Sequence, residues 1–394
     1  MKDVIIAIPV YRQELRWYEQ LSLARCFEVL GSYPIVFIAP EGATLDYGPE
    51  YRDVPRVTFP AQYFESVDGY SALLLSTTFY QRFRDFRKLL IYQLDAFVFS
   101  DQLMDFVAMD YDWIGAPWFL GCHWDFGDWN RKLGIRKTFP VGGNGGFCLR
   151  DIQSCLRVLE TYGDGSALGG NLAEDRVFCY YFHIDPAFRL APIRVMYAFS
   201  SEFDAERVWY KNGCRLPFGC HDWTSMSATF YLWAFRQVGY DLRGARAGLH
   251  DVDLMTLEVN LRHWRERHLP RAERRADLPL RDKAAWLESA LARQDVYAAG
   301  KAVFFAEHQL LHEEPQPGEA YLLEHLDALL YRGVLDIEQG RYGEGIRYLK
   351  AWDRIAYRYG IARWPELYLQ IARAYRACGM EPLARLYEEL QRES

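Results

Sequence analysis

The chain has 394 residues, more than a single hydrophobic core usually holds, so two domains are expected. Half of the residues are apolar and a quarter are charged, the balance of an ordinary globular protein, which excludes a long disordered chain. A formal net charge of −7 excludes a general affinity for nucleic acid, which needs a concentrated cationic face. Aromatic residues make up 16% of the chain; most are expected in the core, but the same side chains stack on bases and sugar rings.

In chain order, the apolar run 4–10, interrupted by Pro9, is too short for a signal peptide or a membrane span and predicts a first buried strand. Further short apolar runs at 34–39, 89–94 and 147–149 predict strands, and apolar residues at helical spacing over 15–30, 70–86 and 151–162 predict helices. This alternation implies an α/β domain with a mostly parallel sheet, whose ligands sit at the carboxyl ends of the strands. After about residue 245 the strand-like runs vanish and helical periods take over. The expected organisation is an α/β domain over 1–245, a charged linker over 246–283 containing Pro270 and Pro279, and a helical domain over 284–394.

The helical part carries an internal repeat. Gly340, Gly345 and Tyr348 find counterparts in Gly379, Ala384 and Tyr387, with Gly333 and Tyr342 preceding in the first copy and Ala372 and Pro382 in the second. A looser third copy runs through Gln294, Tyr297 and Ala299. Small residues where helices cross, with an aromatic near the turn, resemble tetratricopeptide repeats, although the period is longer and uneven; a generic helical bundle is the alternative. The eight cysteines show no CxxC pair or regular spacing and are expected to be reduced, mostly buried thiols. No later apolar run is long enough to cross a bilayer. The protein is therefore expected to be soluble and cytoplasmic, or at most peripheral at the inner face of the membrane.

Four constellations carry chemistry. The strand at 89–99 presents Gln93 and Asp95 among apolar residues, and a buried carboxylate needs a partner; a helix cap, an Arg or a metal would each serve. Gly142, Gly143, Asn144, Gly145 and Gly146 form a loop whose glycines permit positive φ and close approach of the backbone to a phosphate or sugar, or else make a tight turn. Glu174 and Asp175 precede an apolar run, where they would either meet a helix dipole or supply a general base. His221, in a Gly-Cys-His-Asp-Trp segment, is a metal ligand, a base or a packed imidazole.

The order of these segments matches one known arrangement. IPVYRQE from Ile8, YFESVDGYSALLLSTTFYQRF from Tyr63, LIYQLDAFVF from Leu90, DWIGAPW from Asp112, VGGNGGFCLR from Val141, EDRVF from Glu174 and FGCHDW from Phe218 resemble a bacterial and fungal family of unknown function that is itself similar to GT-A glycosyltransferases. The resemblance spans residues 1 to about 240. It implies a GT-A-like, Rossmann-like fold in which Gln93-Leu94-Asp95 occupies the place of the Asp-x-Asp element that holds Mn²⁺ or Mg²⁺ against the donor diphosphate, with His221 as a second metal ligand. Only one carboxylate stands in that element, whereas a hard cation prefers several oxygens. The resemblance further implies that Pro9, Tyr11, Arg12 and Glu14 bind the donor nucleotide together with Gln93 and Asp95. Gly143, Asn144, Gly145, Gly146 and Trp118 would contact donor sugar or acceptor, and Asp175, beside Glu174, would be the catalytic base of an inverting displacement.

The expected function is transfer of a sugar from a nucleotide-sugar donor to a hydroxyl acceptor on a glycan, lipid-linked or protein-linked saccharide, with the C-terminal helices recruiting the acceptor, a protein partner or a second copy. The alternatives are a nucleotidyltransferase, against which no Gly-rich, Arg- and Lys-bearing loop follows the first strand, and a non-catalytic nucleotide-sugar-binding scaffold.

Overall fold

The computed structural model of the chain describes residues 2–118, 143–168, 173–202, 205–224, 228–242, 326–359 and 362–393. The chain divides into two compact units, Met1–Ser227 and Ala228–Ser394.

The first unit runs β1 (Lys2–Pro9), α1 (Trp17–Leu30), β2 (Ile35–Pro40), β3 (Arg56–Phe59), α2 (Val67–Leu74), α3 (Thr77–Gln81), β4 (Phe86–Tyr92), β5 (Phe97–Val98), α4 (Leu103–Ala108), β6 (Trp113–Ile114), β7 (Phe147–Asp151), α5 (Ile152–Tyr162), α6 (Glu174–Ile184), α7 (Ile193–Phe199), β8 (Ser200–Ser201), α8 (Ala205–Lys211) and β9 (Gly219–Cys220). Six strands form one sheet in the order β3-β2-β1-β4-β7-β6. β1 pairs in parallel with β2 and β4, and β2 with β3, whereas β7 is antiparallel to both β4 and β6. The sheet is therefore mixed, with β7 reversed. After β6 ends at Ile114 the chain comes back into the sheet from the same edge, so the next strand must run the other way.

Alternation along the strands explains the burial. Val4, Ile6 and Ile8 of β1 pack with Leu23, Cys26 and Leu30 of α1 on one face, while Ile5 and Ala7 pack with Leu73, Leu74, Phe79 and Tyr80 on the other. A sheet covered on both faces accounts for apolar runs without polar alternation. The spacing over 70–86 predicts a single helix, but two short helices and the start of β4 occupy it. Ser66 Oγ accepts from Gly69 N at 3.0 Å and Ser76 Oγ from Phe79 N at 3.2 Å, so each helix has its own cap and Ser76 restarts the chain in a new direction. Strand β3 and the two-residue strands β5, β6, β8 and β9 are too short to show a period in sequence.

A second, three-stranded sheet in the order β5-β9-β8 lies beyond β4 in the chain. Its pairing sets Ser201 against Cys220, and His221 N donates to Ser201 O at 2.9 Å. Glu202 and His221, each one residue beyond its strand, are thereby brought side by side.

The second unit contains α9 (Ala228–Arg236) and the helices α10 (Leu326–Glu338), α11 (Tyr342–Tyr359), α12 (Leu367–Ala377) and α13 (Glu381–Glu393). α10–α11 and α12–α13 are hairpins turning at Gly340 and Gly379, with φ of +76° and +71°, so the repeated glycines occupy equivalent left-handed turns. At the first crossing a Cβ on Gly345 would lie 2.7 Å from Gly333 O, so these backbones meet directly; the second pair has buried Ala372 and Ala384 in the matching places. The expected linker and the third repeat copy lie outside the described residues. Among the described residues no helix is long and apolar enough to cross a membrane.

Candidate functional site

One hydrogen bond joins two site segments at the carboxyl edge of the main sheet. Gln93 N, just past β4, donates to Gly146 O at 2.8 Å, which ties the end of β4 to the loop entering β7. Ala96 N then bonds to Gln93 O at 2.9 Å, closing a tight turn that carries Asp95. Asp95 Oδ1 lies 3.1 Å from His221 Nε2, and Gln93 Oε1 lies 3.0 Å from the same nitrogen. On the far side of the ring, His221 Nδ1 faces Glu202 Oε1 at 3.2 Å. Burial opposes a charge on this imidazole, but Asp95 and Glu202 outweigh it and hold its pKa well above the ordinary value. Three oxygens thus surround one buried ring, and the two on the Nε2 side converge on a single point.

The glycine loop meets this cluster directly. A Cβ on Gly146 would overlap His221 Nε2 and lie 2.6 Å from Gln93 Oε1; one on Gly145 would overlap Glu174 Oε1; one on Gly143 would overlap Trp113 Nε1 and lie 2.6 Å from Cys179 Sγ. None of these three glycines has positive φ. Close approach to the protein's own side chains, rather than unusual backbone geometry, therefore requires them. Asn144 knits the loop together: its Oδ1 accepts from Gly146 N at 2.7 Å and its Nδ2 donates to Glu202 Oε1 at 2.7 Å.

On the other side of the loop lies a buried ion pair. Arg150, wholly buried in β7, donates to Glu174 Oε1 at 2.8 Å, to Gly145 O at 3.0 Å and to the Tyr80 hydroxyl at 2.9 Å, and stacks over Trp113 at 4.3 Å. Ser71 Oγ lies 3.4 Å from Glu174 Oε2. These partners satisfy the Arg150 charge and engage both oxygens of Glu174. Asp175 follows in the first turn of α6, with its Oδ2 accepting from Gly145 N at 3.1 Å. Its buried Oδ1 has no hydrogen-bond partner among the described residues. Burial, and then the charges of Glu174 and Glu202, push the Asp175 carboxyl up to about 7. Both acids also meet the positive end of the α6 dipole, the helix-start role expected for this pair.

The remaining expected residues spread along the same edge. Pro9 ends β1, and Tyr11 is exposed with the Arg12 guanidinium over its ring at 5.2 Å. Arg12 reaches Glu19 at 3.4 Å and its carbonyl accepts from the Tyr47 hydroxyl at 2.5 Å; Glu14 is exposed. Trp118 packs, half-buried, against the core on the α2–α3 face. Two residues central to this geometry, Arg150 and Glu202, were not singled out in sequence. Arg150 had a signal, a lone cation within an apolar strand. Glu202 had none, because the parallel pairing of β8 with β9 alone brings it to His221.

Among the described residues there is no group of three or more His, Cys, Asp or Glu arranged to hold a metal ion. The residues that could hold a divalent cation are Asp95, Gln93 and His221, whose Nε2 is approached by the Asp95 and Gln93 oxygens at 3.1 and 3.0 Å; as ligands they would leave the remaining positions to phosphate oxygens and water. No curated protein matches the chain. Residues 53–221, from the turn before β3 to His221 itself, match the family described as "Protein of unknown function (DUF5672)", so the segment that carries Gln93, Asp95, the glycine loop, Arg150, Asp175, Glu202 and His221 is a DUF5672 domain.

Proposed function

We propose that the first unit is a glycosyltransferase of GT-A-like architecture that moves a sugar from a nucleotide-sugar donor to a saccharide hydroxyl. One observation carries the reading: consecutive residues of one loop join two chemically different groups. Gly146 touches the Gln93–Asp95–His221 cluster, and Gly145 touches Asp175. A diphosphate-binding point and a carboxyl of raised pKa therefore flank a short stretch of backbone, at the carboxyl ends of β1 and β4. In sheets of strand order 3-2-1-4 that edge is where nucleotides bind.

In this mechanism Asp175 Oδ1, the oxygen left over after Gly145 N engages its neighbour, takes the proton of the acceptor hydroxyl. The acceptor oxygen bonds to the anomeric carbon as the bond from that carbon to the diphosphate oxygen breaks, and the electron pair leaves on the diphosphate. A base with a pKa near the working pH suits this role and contributes ~10² to 10⁴ in rate. Glu174 is assigned a positioning role: it holds Arg150, which binds Gly145 O, while Gly145 N donates to Asp175. Asp95 and His221, with Gln93, would hold Mn²⁺ or Mg²⁺, which supplies charge neutralisation at the leaving diphosphate. Tyr11 and Arg12, which follow β1, are assigned to the nucleotide in this reading, and the tetratricopeptide-like helices of the second unit to recruiting the acceptor or a partner protein.

A thermal-shift screen of UDP-, GDP-, CMP- and TDP-sugars, with and without Mn²⁺, tests the reading. One nucleotide class should raise Tm, more strongly with Mn²⁺, because a ligand that binds only the native state stabilises it. A response to none of them would move the assignment to a scaffold. Asp175→Asn should abolish transfer while leaving donor binding intact, and persistent turnover would remove Asp175 as the base.

A further inference from the structure

The structure assigns Glu202 a positioning role: through His221 Nδ1 and Asn144 it holds the imidazole so that Nε2 faces Asp95 and Gln93 as a cation ligand. This rests on the reading of Asp95 and His221 as cation ligands given above. Glu202 follows β8 and is buried, with 4% of its surface exposed, yet its Oε1 serves two donors at once, His221 Nδ1 at 3.2 Å and Asn144 Nδ2 at 2.7 Å. The second of these continues into the glycine loop, because Asn144 Oδ1 accepts from Gly146 N, and Gly146 is the residue whose missing Cβ makes room for Nε2. One carboxylate oxygen therefore sets both the ring and the backbone that the ring packs against.

An imidazole has two nitrogens, and only the one lacking a proton can bind a cation. A carboxylate on Nδ1 keeps the proton there, fixes the ring plane and makes Nε2 more basic, so removing such a partner weakens metal affinity typically 10–100-fold. Nothing else in the described surroundings does this for His221. Its other neighbours, Asp95 and Gln93, lie on the Nε2 side.

The test uses the full chain and follows Mn²⁺ binding by calorimetry in the presence of uridine diphosphate, which does not depend on turnover. Glu202→Ala is expected to weaken Mn²⁺ binding about 10–100-fold, and Glu202→Gln, which keeps an acceptor oxygen but not the charge, should restore part of that loss. Asn144→Ala leaves Glu202 on the ring and should cost less than Glu202→Ala. In long-range ¹H–¹⁵N spectra of histidine-labelled protein, the Nδ1 proton of His221 should exchange slowly in the wild type and rapidly in Glu202→Ala. A folded Glu202→Ala that binds Mn²⁺ as the wild type does would overturn the role of Glu202 alone. Should Glu202→Ala fail to fold, wild-type affinity in Glu202→Gln overturns it equally. A wild type that binds no Mn²⁺ would instead overturn the metal reading of the site, and this inference with it.

Discussion

Glycine serves opposite purposes in the two units. In the loop at 143–146 the glycines have no positive φ, and each is required because a fixed side chain, His221, Glu174 or Trp113, occupies the space a Cβ would need. At the hairpin turns Gly340 and Gly379 have positive φ and nothing within 4 Å of where a Cβ would stand. The first kind of requirement comes from neighbours distant in sequence, the second from the local backbone. A change at the loop is therefore expected to travel into the charged groups around it, whereas a change at a hairpin turn should stay where it is made.

The strongest way to break this contrast is to remove what presses on the loop. Arg150→Met leaves Glu174 buried without its cation and should destabilise the first unit by about 3–5 kcal/mol, with Arg150→Met/Glu174→Gln recovering part of the loss in denaturant melts. Such a change should also lower donor binding, since Gly145 O loses a partner as well.

Asp175→Asn acts with the opposite sign. The folded pKa of about 7 lies above the ordinary 3.8, so the contribution of this carboxyl is fully favourable below about pH 4 and is lost as pH rises through about 7. Burial is the main cause, with the charges of Glu174 and Glu202 adding to it and Gly145 N–H and Arg176 opposing it. At pH 8 the Asn variant should be more stable than the wild type by roughly 2–4 kcal/mol, discounted toward the lower figure because Asp175 is only half-buried, and the gap should close at pH 4. Equal stability at both values would show that the carboxyl is not held in its neutral form. The same pKa predicts that kcat/KM for transfer rises with pH through about 7.

Gly146→Ala is expected to destabilise by about 1–3 kcal/mol through overpacking and, more tellingly, to displace His221 and abolish any Mn²⁺ enhancement of nucleoside-diphosphate affinity measured by calorimetry. Gly340→Ala, which meets only backbone strain, should cost about 1 kcal/mol, and Gly340→Asn less, with no effect on nucleotide binding. If Gly340→Ala altered that binding, or Gly146→Ala behaved as a purely local change, the contrast between the two glycine classes would fail.

What the sequence determined by itself lies where a few adjacent residues decide the outcome. The apolar runs at 4–10 and 89–94 were legible as buried strands, the spacing over 151–162 as a helix, and the matched small residues as a helical repeat, although only the structure made Gly340 and Gly379 hairpin turns and Gly345 and Ala384 the crossing positions. Asp95 and His221 were legible as candidates because a carboxylate and an imidazole stand out beside apolar strands, although 126 positions of chain separate them. Only the tertiary structure decided what each does. Pairing of β8 with β9 chose Glu202 as the partner of His221, reversal of β7 set Arg150 against Glu174, and together they separated two adjacent acids into a buried ion-pair member and a carboxyl with a spare oxygen. The physical reason is that burial and charge act through space, so the chemistry of a side chain depends on which distant strands the fold lays beside it.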